Sequence, residues 1–169
     1  AAVFGGGEWR LANPISEEMK AMRPSLLPGL IAAARRNLDR GAATARLFEI
    51  GRRYLADAEH PTLSLLLAGE ARPRGWKAGK AAPFDAFDAK ADAFAVLAAA
   101  GAPMQALQVV PGGPVWFHPG RSGTIQIGPQ NVLGHFGELH PRAMAGLKAE
   151  GPLVGFEVIL EKLPEPKAR

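Results

Sequence analysis

Cysteine is absent from this chain of 169 residues. Disulfides, thiolate catalysis and cysteine-based zinc sites are therefore excluded together. Aromatic residues are few, at 7%, and no stretch interleaves them with basic residues as a base-stacking platform does. No apolar run approaches the roughly 18 residues of a membrane span, so no membrane partner is expected. No charged-then-apolar leader opens the chain. Internal repeats, a heptad seam and a Walker-type phosphate motif are also missing. Gly5-Gly6-Gly7 leads into a strand pattern rather than a helix, and Pro111-Gly-Gly-Pro114 is too rich in proline to offer successive N–H donors. The opening residues read as mid-protein sequence. The expectation is a piece of a longer cytoplasmic protein.

What remains is ample for one core. Hydrophobic residues make up 47% of the chain, and the length suits one domain. We place that domain at 1–163, with 164–169 as the start of a linker carrying Pro164-Glu-Pro166. The formal net charge of +4 is uneven: residues 1–84 hold 13 basic against 8 acidic residues, whereas 85–169 hold 7 against 8. A basic half suits nucleic acid or an acidic partner, and equally a solvated surface.

Periodicity orders the elements. Glu8 to Ala12 reads as a short strand, and Ser16-Glu-Glu-Met19 as a capped helical turn. A strong helix is expected from Pro24 to Arg40, with Leu27, Leu30, Ile31, Ala34 and Leu38 on one stripe and Gly41 as its stop. Arg46 to Leu55 reads as a strand with Phe48, Ile50 and Tyr54 sharing a face. A turn at Asp57–Pro61 leads to a buried, antiparallel neighbour at Thr62–Ala68. A loop follows at Gly69–Pro83, then a helix at Asp85–Ala100 with Phe87, Ala91, Phe94, Leu97 and Ala98 as its buried stripe. Strands are expected at Gln105–Val110, Val115–Phe117, Ser122–Ile127, Asn131–Gly137 and Leu153–Leu160, with a short helix at His140–Lys148. The fold class is α+β, an antiparallel sheet with flanking helices on one face.

Few residues suggest chemistry. His60, His118 and His140 adjoin prolines, which is turn chemistry, and His135 sits in an alternating strand. No serine lies in a G-x-S-x-G elbow. Glu49 and Glu138 lie beside glycines in strands, where a carboxylate either points into a cleft or answers a backbone group or an arginine. Arg72, Arg74, Lys77 and Lys80 surround Trp76 and form the best local candidate for a phosphate contact, against an exposed loop with no ligand.

Several segments together carry a resemblance. They are Leu11-Ala-Asn-Pro-Ile-Ser16, Met22-Arg-Pro-Ser-Leu-Leu-Pro-Gly-Leu30 with Asn37-Leu-Asp-Arg40, Arg46-Leu-Phe-Glu-Ile-Gly51, Asp85-Ala-Phe-Asp-Ala-Lys90, His118-Pro-Gly-Arg-Ser122 and Gly134-His-Phe-Gly-Glu-Leu-His-Pro141. In this order and spacing they resemble the catalytic-like module of bacterial phenylalanine–tRNA ligase beta subunits. Ala86 stands where that family usually has Phe, and Ala91 where it has Gly.

The resemblance implies a class II aminoacyl-tRNA synthetase-like core with six or more antiparallel strands. It implies a non-catalytic relative of the alpha subunit, within an (αβ)2 enzyme that charges tRNA with phenylalanine using ATP and Mg2+. No cofactor, catalytic residue or metal ligand is expected in this piece. A class II site needs an arginine on the ATP α-phosphate, and here Gly51-Arg-Arg-Tyr54 is followed by Leu55. Arg52 or Arg53 could stand in for it. The glycine-rich third motif with its arginine is missing too. The helix from Pro24 would pack against the alpha subunit, which makes Arg23, Leu26, Leu27, Leu30, Ile31, Ala34 and Asn37 the candidate interface. Core packing explains the same leucines. The alternative function is an RNA-binding module touching tRNA through the basic half, with Arg72, Arg74 and Lys77 as contacts.

Overall fold

The computed structural model describes residues 2–16, 20–56, 58–77 and 79–164. Glu17–Met19 of the expected turn, Asp57, and residues 165–169 of the expected linker lie outside them.

Seven antiparallel strands form one sheet: β1 (Thr44–Tyr54), β2 (Glu59–Arg72), β3 (Ala82–Pro83), β4 (Gln108–Pro111), β5 (Phe117–Ile127), β6 (Asn131–Leu139) and β7 (Leu153–Ile159). Their order is β1-β2-β7-β6-β5-β4, with β3 beside β2. The last strand thus inserts at the centre, between β2 and β6. It is buried on both faces. The expected strand at Ser122 reaches back to Phe117 in β5, across an irregularity between Phe117 and Ser122, whereas Val115 and Trp116 of the expected Val115–Phe117 strand form a turn. Glu8–Ala12 forms only a bridge, at Arg10–Ala21.

Three helices pack on this sheet: α1 (Leu27–Asp39), α2 (Ala86–Ala99) and the short α3 (Pro141–Ala145). They do not share a face. Leu66 and Leu67 are adjacent on β2 and point oppositely. Leu66 joins a cluster with Leu27, Leu30 and Ile31 of α1, whereas Leu67 joins one with Ala89, Ala93 and Leu97 of α2. The architecture is therefore helix, sheet, helix, with a core on each side. The near-continuous apolar run Leu63–Ala68 of β2, broken by Ser64, reflects this two-sided burial.

Each helix start has an identifiable feature. Asp85 caps α2 by accepting from Phe87 N and Asp88 N, and Asp88 answers the Asp85 N–H. The buried stripe of α2 is Ala89, Ala93 and Leu97, while Phe87 is exposed. The expected stripe was displaced because alanines occupy every side of this helix, and small side chains let it lie close on the sheet. Helix α1 begins at Leu27 rather than Pro24. That start puts Pro28 in the first turn, where its missing N–H has no partner to lose.

Candidate subunit interface

The expected interface residues on α1 are spent inside the chain. Leu26, Leu27, Leu30, Ile31 and Ala34 are all buried, packed against β1, β2 and β7 and against Phe4, Phe117 and Leu139. Their stripe was read correctly, but the chain's own sheet covers it, so those five side chains offer no surface. Arg23 is tied down as well: its guanidinium lies 2.6 Å from Glu49 and donates to the Arg52 carbonyl. Asn37 is exposed, and its amide donates to the Ala33 carbonyl.

The N-terminus of α1 carries a feature that sequence reading missed. Glu157 of β7 is buried, and its Oε1 accepts from Ser25 Oγ, Leu26 N and Ser64 Oγ, each at 2.9 Å. Ser25 Oγ accepts in turn from Leu27 N. A carboxylate from a strand 131 positions away thus caps the helix, where the macrodipole favours negative charge. Nothing near Leu26 in the chain announces this partner.

Several other polar side chains of the sheet are also engaged. Glu49 answers Arg23 and Glu138 answers Arg121, so both glutamates meet an arginine. His118 Nδ1 accepts from Gly120 N, and His140 Nδ1 from Arg142 N at the start of α3. His60 contacts Glu161. Each of these three thus engages a neighbouring group of the chain. Among the described residues no group of three His, Asp or Glu side chains converges.

His135 is the perturbed one. Thr124 Oγ1 spends its proton on the Gly112 carbonyl, so it accepts from His135 Nδ1–H at 3.0 Å. Burial, and secondarily the Arg53 charge, lower the His135 pKa to about 4. The unfolded chain then binds the extra proton between about pH 6.5 and 4. Stability is full above pH 6.5, falls as the pH drops toward 4, and is flat below. We expect a loss of roughly 2–3 kcal/mol from this group. Urea melts at pH 7 and 4.5 should show it, and His135→Gln should flatten that part of the difference.

The open surface lies elsewhere. Strand β1 is an edge, and its inward side chains, Ala45 and Leu47, pack under α1. Arg46, Phe48, Ile50 and Arg52 point to the other face, where α2 sits over β6 and β7 and leaves β1 uncovered. Phe48 is 69% exposed and Ile50 64%. Behind them on β2 lie their register partners Leu65 and Leu63, both half-buried. The rim is charged but neutralised: Arg46 pairs with Asp92 of α2, and Arg52 with Glu59.

The backbone of the same residues is also open. Tyr54 N donates outward to the Arg23 carbonyl, and the Arg52 carbonyl accepts from Arg23. The even-numbered positions of β1 therefore turn their peptide groups away from β2. At Arg46, Phe48 and Ile50 those groups meet no backbone partner among the described residues. Period two revealed the Phe48–Ile50 face in the sequence; only the sheet shows that none of the described residues covers it.

Comparison with known proteins agrees with this architecture. Pyrrolysyl-tRNA synthetase of Desulfitobacterium hafniense superposes with a TM-score of 0.65 at 21% identity, over 88% of this chain and 50% of that one. A second structure of that organism's enzyme gives 0.65 at 23%, over 89% and 51%. The fold is thus that of class II synthetases. The phenylalanine–tRNA ligase beta subunit of Zymomonas mobilis is 54% identical over 97% of this chain and 21% of its own length. That of Bradyrhizobium diazoefficiens is 56% identical over 100% and 22%. The chain thus spans about a fifth of the length of these curated relatives. The family model described as the phenylalanyl tRNA synthetase beta chain CLM domain matches residues 6–160. This sheet, with its motifs in that family's order, belongs to the phenylalanyl-tRNA synthetase beta chain CLM domain family.

Proposed function

We propose that this chain is a non-catalytic docking module of a cytoplasmic phenylalanine–tRNA ligase, and that the partner it docks is the alpha subunit. The whole enzyme would be an (αβ)2 assembly that charges tRNA with phenylalanine using ATP and Mg2+. The observation that carries the docking role is the uncovered Phe48–Ile50 face. Burying a large apolar side chain is worth about 1.5–3 kcal/mol. Two of them beside open strand groups make an anchor for a partner, with paired charges as its rim.

The absence of catalysis is supported by what fills the α1 face of the sheet. Leucines of α1 occupy it, and Glu157 Oε1 already accepts from three donors. Holding a triphosphate takes several free cations. Arg23 and Arg52 are each paired with a glutamate, Leu55 follows Tyr54, and Arg53 is left by itself. The residues present do not fit ATP with Mg2+. Phenylalanine-dependent ATP–pyrophosphate exchange by this chain should not rise above the blank. Turnover abolished by omitting phenylalanine would contradict the non-catalytic reading.

A further inference from the structure

We infer that the loop between β2 and β3 is an RNA contact, in which Trp76 stacks on an unpaired base while Arg72, Arg74, Lys77 and Lys80 hold the phosphates around it. The choice of probe below rests on the proposed place of this chain in a tRNA-charging enzyme.

Charge is the first ground. Residues 71–83 contain those four cations and no acid. Setting them aside leaves 16 basic and 16 acidic residues, so this loop accounts for the whole formal excess of +4. Elsewhere Arg23, Arg35, Arg46, Arg52 and Arg121 each meet a carboxylate, while Arg10, Arg36, Arg40, Arg53 and Arg142 are scattered rather than clustered about one aromatic ring. Among the described residues, the four loop cations meet none. All four are exposed.

The second ground is the indole. Trp76 is 91% exposed, and it is held out by a built turn rather than left on a loose strand. Gly75 N donates to the Gly79 carbonyl, and Gly79 N donates back to Gly75, at 3.2 and 2.8 Å. Gly79 closes this turn at φ +76°, where an L side chain is strained. Lys77 Nζ lies 4.9 Å from the centroid of the Trp76 ring. One indole face therefore carries a cation and the other is open to a planar group. An exposed aromatic platform on a loop of unpaired cations is the chemistry of single-stranded or looped RNA. A protein partner would need four acids placed around one aromatic pocket, whereas a nucleic acid brings its phosphates and its unstacked base together. The sequence already marked these cations around Trp76; the turn that presents the indole is what the structure adds.

The test uses the full-length beta subunit assembled with its alpha subunit, and uncharged tRNA for phenylalanine as the probe. Equilibrium binding is measured from low to moderate salt for the parent, Trp76→Ala, Trp76→Phe and the double variant Arg74→Gln with Lys77→Gln. Trp76→Ala should bind about five- to a hundredfold more weakly, with Trp76→Phe recovering most of that loss. The double variant should flatten the slope of log affinity against log salt by about 1.4. A Trp76→Ala enzyme with the parent affinity and slope overturns the inference. So does a Trp76→Ala beta subunit that no longer holds its alpha subunit, which would give the loop to a protein partner. A parent enzyme that binds no tRNA overturns the ligase reading itself, and this inference with it.

Discussion

A beta subunit carrying Phe48→Asp and Ile50→Asp should fold normally and lose its alpha subunit. Both side chains stand mostly in water on an edge strand, so the exchange removes no core contact. The melting temperature of the 169-residue chain should stay close to that of the parent. Assembly is a different matter. In a buried interface centre, truncating an aromatic or aliphatic anchor costs about 2–4 kcal/mol, and a buried unpaired carboxylate adds to that. Affinity for the alpha subunit should therefore fall by at least about thirtyfold. Co-purification from cells making both subunits, followed by titration of the separated subunits, measures it. Leu27→Asp, by contrast, places a charge in the core beneath α1 and reports folding rather than docking.

Glu157→Ala should produce the largest loss of stability. The change removes one acceptor and strands Ser25 Oγ, Leu26 N and Ser64 Oγ in a dry site. Each buried group left unsatisfied costs about 1–3 kcal/mol. Helix α1 also loses the negative charge at its N-terminus. Relaxation and water entry recover part of the sum, so we expect a loss of about 3–5 kcal/mol in urea denaturation. Glu157→Gln keeps an acceptor oxygen without the charge and should cost about 1–2 kcal/mol. A small and equal effect of both substitutions would mean that the cap contributes little.

The two predictions concern residues that the sequence exposed to different degrees. The α1 stripe was legible because three- and four-residue spacing defines a face whatever covers it. What covers it was not legible, since Leu66, Phe117 and Leu139 reach it from distant strands. The helix start was ambiguous because Pro24 and Pro28 both suit a first turn. The tie is broken by Glu157, which no local pattern connects to Leu26. Phe48 and Ile50 declared a shared face through period two. Only the strand order, with β7 inserted at the centre and β1 left at the edge, turns that face toward solvent. The opposite placement of α1 and α2 had a signal in the near-continuous apolar run of β2, which two-sided burial favours. The family signatures were legible throughout because they are local strings; the surfaces were not, because they depend on which neighbour each strand has.

The docking role is tested most directly by hydrogen exchange of the full-length beta subunit, free and bound to its alpha subunit. The outward amides of Arg46, Phe48 and Ile50 meet no backbone partner among the described residues, and should exchange fast in the free subunit. Binding should slow them strongly, along with the rest of the β1 edge. A stable complex in which these amides exchange as fast as before would contradict the account and place the alpha subunit on another surface.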